Sequence, residues 1–457
     1  MGFKTTGILA LLLAILAGYI YLFEIRGWEQ REMAEEAARR VAQIGKGGVT
    51  RLRLDVKGES ISAVREGFMW RIVSPVETEA DFDILEGLIH SAGILEKAGV
   101  AADSSQTGQS DFSLADYGLA SPAVRLSFTD DSGNLEEVAF GDRSPTGAYY
   151  YVKTSDDDQI YLAESRFCYQ FELTLMDLRD KRYVQFDPDR VRGIELKYGG
   201  REMIAVERDE IHWRMTAPVE DGGDDIGVGQ FLTHLRDARI EEFADSDDLP
   251  AAGLDKPWFE ITFYEGEDRK LNGIAFGNKT GSRAYRRYLA KSFGNDHIFA
   301  ADSAFVHSLM DAGHTFRTRD VFGFNRHEVD RVEFVFPDSS LTFDRRAPEQ
   351  WDVTSHSGHE IRGSKVEDFI DEVTALRAID YVAESMDIDR KSVFETNGIR
   401  VRLFAQDHLL REVVVGSLGN HLFASTNDRE QVLEIEKYFL QRIRDVRISP
   451  KSDATEG

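Results

Sequence analysis

Three segments of the chain carry apolar residues with helical spacing, and each follows a short stretch that begins with tryptophan. In the second segment they are Val228, Phe231, Leu232, Leu235 and Ala238. The third segment, 138 positions later, has Val366, Phe369, Ile370, Val373 and Leu376; the first, 143 positions earlier, has Leu85, Leu88, Ile89, Ala92 and Leu95. This i, i+3, i+4, i+7 spacing predicts an amphipathic helix in each segment. Because period and face recur together, the pattern predicts three copies of one unit.

Polar and apolar residues alternate in the runs around each predicted helix, which favours strands. One strand precedes each tryptophan: "VTRLRLDV" (49–56), "VRGIELKY" (191–198) and "VDRVEFVF" (329–336). The tryptophan strands are "WRIVSPVE" (70–77), "WRMTAPVE" (213–220) and "WDVTS" (351–355). A meander follows each helix and passes through "VAFGD" (138–142), "IAFGN" (274–278) and "VVVGS" (414–418), where the shared glycine indicates positive φ or close backbone approach. The order predicts an α+β fold of three tandem repeats, each a mostly antiparallel sheet with two helices.

The repeats define the expected domain boundaries. We expect repeat 1 at 47–185, repeat 2 at 186–325 and repeat 3 at 326–447, followed by a polar tail at 448–457. Each repeat is expected to close with a helix, such as 303–316. Basic residues in "LRDKR" (178–182), "FRTRD" (316–320) and "IRDVR" (443–447) would then lie in a last helical turn, where they complement the helix dipole. Ser364 and Glu367 form a capping-box pattern for the third amphipathic helix.

The front of the chain predicts a membrane anchor. Residues 7–23 carry no charge, and a helix of that length spans roughly 25 Å, the short end of what crosses a bilayer. The run is longer than a usual signal-peptide core, and no cleavage site of small residues follows it. We expect a transmembrane anchor at 7–24, a cytoplasmic N-terminus at 1–6, a juxtamembrane helix at 25–46 and a periplasmic body, hence a single-pass protein of a bacterial inner membrane.

Composition narrows the choice of partner. The 457 residues have a formal net charge of −26, which disfavours nucleic acid and anionic lipid surfaces. The only cysteine is Cys168, so an internal disulfide is impossible, and its aromatic neighbours predict a buried small side chain. We expect no nucleic-acid partner and contact with the membrane through the N-terminal helix alone.

Candidate chemistry is sparse. "HSGHE" (356–360) places His356, His359 and Glu360 together, but the other two repeats have no histidine there, so a turn is favoured over a zinc site. The acidic stretches at 130–134, 155–158 and 221–225 match calcium loops only in composition. No nucleophile elbow and no phosphate-binding glycine loop is present in the sequence. We therefore predict no catalytic, cofactor-binding or metal-binding residue and no cofactor.

The three repeated tryptophans have two interpretations. Trp70, Trp213 and Trp351 stand once per repeat at the same strand position. They are either the core anchors of three small domains or a row of rings that binds carbohydrate. The repetition of one strand position favours the core.

The chain resembles a known family in several motifs. The tryptophan strand ending in proline, "YGLASP" (117–122), "AGLDKP" (252–257) and "LRDKRYVQFD" (178–187) are similar to the domain-of-unknown-function family 4340. The resemblance covers about residues 48–320 well and the third repeat loosely, since "WDVTSHS" lacks the proline. It implies a single-pass or lipid-anchored envelope protein, of a kind often encoded beside ABC-type transporter permeases and gliding-motility-associated auxiliary subunits. It brings no site residues.

The leading functional hypothesis is a non-enzymatic, membrane-anchored periplasmic accessory subunit of an ABC-type transport or envelope complex. It would act through protein–protein contacts of the three domains, with an ABC-type permease or auxiliary subunit as partner. The alternatives are a periplasmic hydrolase or carbohydrate-active enzyme, and a passive envelope scaffold or adhesion spacer. The first alternative would need a polar cluster in one repeat, for which His356 and His359 are the only hint.

Overall fold

The computed structural model describes residues 7, 12–13, 35–42, 44, 48–103, 113–244, 248–282, 285–295, 297–348, 350–353, 363–381, 393–394, 397–429 and 432–446. Most of the predicted anchor at 7–24 and the whole polar tail at 448–457 lie outside these residues. Within the described part of the chain, no helix is both long and apolar enough to span a bilayer. Residues 35–39 of the predicted juxtamembrane helix are helical. The chain forms two compact units, the first with residues 1–182 and 239–241, the second with 183–238 and 242–457.

The first unit contains a nine-stranded antiparallel sheet in the order β4-β3-β2-β1-β6-β7-β8-β9-β5. Its strands are β1 (Val49–Val56), β2 (Glu59–Glu66), β3 (Met69–Ser74), β4 (Thr78–Glu79), β5 (Gly99–Asp103), β6 (Val124–Asp130), β7 (Leu135–Arg143), β8 (Tyr149–Thr154) and β9 (Gln159–Glu164). Its helices are α1 (Phe82–Gly93), α2 (Ser165–Cys168) and α3 (Leu175–Leu178).

The second unit contains two eight-stranded antiparallel sheets. The second sheet, ordered β13-β12-β11-β10-β14-β15-β16-β17, has β10 (Val191–Tyr198), β11 (Arg201–Asp209), β12 (His212–Ala217), β13 (Asp221–Gly222), β14 (Phe259–Glu265), β15 (Lys270–Gly281), β16 (Arg286–Ser292) and β17 (Phe299–Asp302). Its helices are α4 (Asp225–Asp237), α5 (Leu249–Ala252) and α6 (Ser303–Gly313).

The third sheet is ordered β20-β19-β18-β22-β23-β24-β25-β21. It has β18 (Arg331–Val335), β19 (Ser340–Ala347), β20 (Gln350–Val353), β21 (Asp380–Tyr381), β22 (Ile399–Ala405), β23 (His408–Leu418), β24 (His421–Thr426) and β25 (Val432–Ile435). Its helices are α7 (Gly363–Ala375) and α8 (Tyr438–Val446).

In all three sheets the strand after the long helix returns to pair with the first strand, as β1 with β6, β10 with β14 and β18 with β22. The tryptophan strand therefore lies two positions from the first strand of that central pair, toward one edge. The prediction of an α+β fold with mostly antiparallel sheets is confirmed. The three sheets lie within 47–185, 186–325 and 326–447 respectively, and the repeat boundaries themselves stay predictions.

One face of each sheet is apolar and packs against helices. On β1, Leu52, Leu54 and Val56 are buried whereas Arg51 and Arg53 are exposed, as a period of two requires. The long helix after each tryptophan strand packs on that strand and on the closing helix: α1 on β3 and α3, α4 on β12 and α6, and α7 on β20 and α8. Trp70, Trp213 and Trp351 are buried, so the prediction that they are core anchors is confirmed.

The shared glycine of the meander is explained by close approach of the backbone. A Cβ on Gly277 would lie 2.1 Å from the carbonyl oxygen of Ala252 at the end of α5. Gly141 and Gly416 occupy the same place on β7 and β23, and their Cβ atoms would lie 2.1 Å and 2.3 Å from the carbonyl oxygens of Tyr117 and Val393. None of the three glycines has positive φ. Of the two reasons predicted for this glycine, steric room is therefore the correct one.

Two predictions about helix ends are wrong. The basic segments at 178–182 and 316–320 are not last helical turns, because α3 ends at Leu178 and α6 ends at Gly313. Arg179 and Arg317 instead form bridges with Ala80 and Gly223, beside the tryptophan strands. Only the segment at 443–447 places a basic residue, Arg444, in a last turn. Because α7 begins at Gly363, Ser364 lies inside the helix and not at its N-cap. Glu367 accepts a hydrogen bond from the indole of Trp351.

Candidate functional site: the cleft beside Trp213

The indole of the buried tryptophan is part of a three-residue cluster in the first sheet. The Nε1–H of Trp70 donates to Oε1 of Glu86 at 2.7 Å, and Glu86 projects from α1. Arg65, on the neighbouring strand, places Nη2 at 2.9 Å from the same oxygen and its guanidinium 5.6 Å from the indole centroid. The glutamate thus joins the helix to the strand through an indole and a cation.

The third sheet has the same cluster. Trp351 Nε1–H donates to Oε1 of Glu367 at 2.8 Å, with Glu367 again 16 residues beyond the tryptophan. Arg345 Nη2 lies 3.7 Å from that oxygen, and its guanidinium is 4.7 Å from the indole centroid. The two sheets therefore use one arrangement of arginine, tryptophan and glutamate.

The second sheet keeps the arginine and tryptophan but lacks the glutamate. Arg208 lies 6.0 Å from the centroid of Trp213, and the position that corresponds to Glu86 and Glu367 is Gly229. A cleft of about 320 Å³ opens here, lined by Asp187, Pro188, Asp189, Arg208, Ile211, Trp213, Asp225, Gly229, Leu232, Thr233 and Arg236. The backbone of Gly229 on α4 forms part of its wall.

The polar groups of the cleft are only partly satisfied by the protein. Arg208 donates from Nη1 to the carbonyl oxygen of Asp189 at 3.4 Å, and its buried Nε has no hydrogen-bond acceptor. Asp225 is fully engaged, because it accepts from the backbone N–H of Trp213 at 2.7 Å and contacts Nδ1 of His212 at 2.7 Å. The carboxylate of Asp187 accepts from the backbone of Asp189. The cleft thus presents an indole and two cations, Arg208 and Arg236, with three aspartates around them.

A second polar cluster lies inside the second unit, between the second and third sheets. The side chain of Asp221, only 1% exposed, pairs with Nε of Arg317 at 2.6 Å and Nε of Arg429 at 2.8 Å. The guanidinium of Arg317 also lies 3.7 Å from the ring centroid of Tyr381, whose hydroxyl donates to the carbonyl of Thr318. Burial raises the pKa of Tyr381 to about 12. Since Tyr381 and Arg429 belong to the third sheet region and Asp221 to the second, these bonds join the two sheets.

Several carboxylates of the acidic stretches bond to neighbouring groups of the protein. In 221–225, Asp221 is held by two arginines and Asp224 caps α4 by accepting from Gly227 N at 2.9 Å. In 130–134, the hydrogen bond from the Asn134 side chain holds the pKa of Asp130 below its usual value. Asp157 is likewise bonded by Gln159 and Tyr161. In the described ranges, no group of three or more His, Cys, Asp or Glu residues is placed to hold a metal ion. His356, His359 and Glu360 lie outside those ranges.

Cys168 is buried on α2, as predicted, and its Sγ–H donates to the carbonyl of Glu164 at 3.4 Å. Burial raises the pKa of this thiol to about 12. At pH 8 only about one thiol in ten thousand is then ionised. We expect no reaction of the folded protein with a disulfide reagent at pH 8 within an hour, and one equivalent of reaction in urea. Rapid stoichiometric labelling without denaturant would contradict this assignment.

The other large concavity, of about 440 Å³, lies on the open face of the first sheet. Its charged side chains pair across strands, as Arg125 with Glu137 at 3.0 Å and Arg53 with Asp55 at 3.1 Å. Such pairs are typical of a solvated sheet face. This surface is a weaker candidate than the cleft beside Trp213, where polar groups are left without partners.

Sequence reasoning missed both polar clusters. A signal for the first was present, because glutamate stands 16 residues after Trp70 and Trp351 whereas glycine stands 16 after Trp213. Asp221 gave no signal, since its arginine partners lie 96 and 208 residues further along the chain.

The three antiparallel sheets define an α+β protein. Each sheet has a strand with a buried tryptophan, and a long helix follows that strand. The family model described as "Domain of unknown function (DUF4340)" matches residues 70–257 and again 213–393. The two matches begin at Trp70 and at Trp213 and together span more than two thirds of the chain. The chain belongs to this family, as its motifs predict. Comparisons with curated proteins and with solved structures gave no match.

Proposed function

We propose that this protein is a membrane-anchored periplasmic accessory subunit of an ABC-type transport or envelope complex of a bacterial inner membrane, without enzymatic activity, acting through protein–protein contacts. The proposal includes three tandem copies of one unit and an anchor formed by residues 7–24. Support for the copies comes from the shared strand order, the tryptophan at one place in each sheet and the glycine at one place in each meander. The uncharged run 7–23 supports the anchor.

One observation carries the contact function: large apolar side chains stand at the tips of corresponding hairpins. Phe68, between β2 and β3, is 94% exposed, and Ile211, between β11 and β12, is 69% exposed. An exposed phenylalanine at a turn contributes nothing to its own core, but it supplies the kind of anchor that protein interfaces use. We therefore assign these tips to contacts with a membrane-protein partner, a permease or auxiliary subunit.

The test is purification of the tagged full-length protein in mild detergent, with a photo-crosslinking residue at position 68 or 211. A crosslink to one integral membrane subunit, lost in the Phe68→Asp, Ile211→Asp double variant, is the expected result. The matched control is Leu271→Asp, which changes an exposed leucine on β15 and should retain the crosslink. Recovery without any envelope subunit, or equal crosslinking in the double variant, would contradict the proposal. Turnover of a glycan or ester that is abolished by changing His356 and His359 would contradict the non-enzymatic part.

A further inference from the structure

We infer that the cleft beside Trp213 binds a carboxylate group of a ligand, which takes the place of the glutamate that the first and third sheets supply from their own helices. The cleft shares one residue, Ile211, with the proposed partner contact, but the inference is tested separately because carboxylate binding is measured on the purified chain alone.

The two complete clusters show what the site is built to hold. In each, one carboxylate oxygen accepts from the indole N–H, at 2.7 Å in the first sheet and 2.8 Å in the third. The same oxygen faces an arginine, at 2.9 Å and 3.7 Å. A carboxylate bound by an indole and a guanidinium satisfies three groups at once, and charge-assisted bonds of this kind are among the stronger ones in proteins.

The second sheet has the two donors, Arg208 and Trp213, but Gly229 replaces the glutamate that accepts from them in the other sheets. Among the residues that the structure describes, no side chain accepts a hydrogen bond from the indole of Trp213, and no carboxylate pairs with Arg208. The Nε of Arg208 is buried without an acceptor, but so is the Nε of Arg345 in the complete third cluster. The difference therefore lies in the indole N–H and in Nη2, the arginine atom that faces the glutamate in the other two clusters. Donors that line a cleft and lack a protein acceptor are available to a ligand that brings one.

The space of the missing side chain is open. A Cβ built on Gly229 meets no heavy atom within 4 Å, whereas one on Gly227, two residues earlier, would lie 2.8 Å from the carbonyl of Thr315. The space beside Gly229 is therefore not filled by another part of the protein. Instead a cleft of about 320 Å³ remains, at the lower end of the range for small-molecule sites.

The rim selects among carboxylates. Asp187, Asp189 and Asp225 outnumber Arg208 and Arg236 among the lining residues, and the whole chain has a formal net charge of −26. Dicarboxylates and polyanions are repelled by such a rim, so the ligand class is a monocarboxylate with a neutral or cationic remainder. Two sources share this chemistry: a small free acid, and a single glutamate or aspartate side chain on a peptide.

The experiment titrates the full-length protein by calorimetry with propionate, with the blocked peptide acetyl-Gly-Glu-Gly-amide and with its glutamine counterpart. We expect dissociation constants in the millimolar range for a carboxylate and none measurable for the glutamine peptide. A peptide that binds at least tenfold tighter than propionate indicates the side-chain source, and equal or tighter binding of propionate indicates a free acid. Failure of both carboxylates to bind, or equal binding of the glutamine peptide, overturns the inference.

Variants of the chain locate the binding. Gly229→Glu restores the residue of the other two clusters and should reduce carboxylate binding at least tenfold while raising the melting temperature. Gln230→Glu is the matched control, because it adds the same carboxylate at the next, exposed position of α4, outside the residues that line the cleft, and should leave binding unchanged. Arg208→Met removes the cation and should also reduce binding tenfold. Carboxylate binding that survives both Gly229→Glu and Arg208→Met places the ligand elsewhere and refutes the site.

Discussion

Replacing Asp221 with alanine is expected to lower the free energy of unfolding of the second unit by about 3–5 kcal/mol, the largest effect of any single substitution considered for this chain. The carboxylate is buried between Arg317, whose side chain is 14% exposed, and Arg429, at 5%. Its removal leaves two guanidinium groups in a region that water barely reaches. The cost arises from those unpaired cations more than from the lost attraction.

Urea unfolding followed by tryptophan fluorescence measures this effect. The matched control is Glu220→Ala, one residue away. Glu220 pairs with Arg214 at 2.8 Å, and both side chains are largely exposed. Exposed pairs contribute at most about 1 kcal/mol, so this variant should unfold close to the original midpoint. Similar midpoints for both variants would show that Asp221 does not hold the second and third sheets together.

Changing Gly277 to alanine is expected to destabilise the second sheet by about 1–3 kcal/mol, although alanine is normally accepted in place of glycine on a strand. The added methyl group would lie 2.1 Å from the carbonyl oxygen of Ala252, well inside contact distance. Because that atom belongs to the backbone, α5 must move away from β15 to make room.

The comparison that isolates the steric cause is Gly229→Ala, an identical change of atoms at a site with open space. Alanine in a helix interior is favoured over glycine by about 1 kcal/mol, so this variant should become more stable while Gly277→Ala becomes less so. Differential scanning calorimetry gives both shifts. Destabilisation of equal size in both variants would show that loss of glycine itself, and not crowding against Ala252, is responsible.

Much of the fold follows from local patterns. The predicted runs 49–56 and 191–198 coincide with β1 and β10, because a period of two and the flanking turns fix a strand without help from distant residues. The amphipathic helices follow from their apolar spacing. The prediction that places the basic segments 178–182 and 316–320 in last helical turns is wrong, because basic residues occur equally well in the extended segments that follow these helices.

The sites depend on long-range packing, which explains why they were harder to predict. Burial of Trp213 follows from the repeated apolar pattern. The cleft beside it depends on Gly229, which does not interrupt the apolar spacing of α4 and so gives no signal in that pattern. The pairing of Asp221 with Arg429 joins positions 208 residues apart, and a single sequence carries no trace of such a contact. The stretch 221–225 resembles a calcium loop only in composition, and in the structure Asp221 pairs with the guanidinium groups of Arg317 and Arg429.

The short outer strands have a consequence for assembly. At one end of each sheet, β4 and β13 have two residues and β20 has four; at the other, β5 has five, β17 four and β21 two. A strand of two residues exposes few unpaired backbone groups, so it is a poor template for another chain. This matters for a polypeptide that carries three sheets of like strand order, since similar neighbours can exchange strands during synthesis. We expect these short edge strands to prevent each sheet from pairing with strands of a neighbouring sheet or of a second molecule.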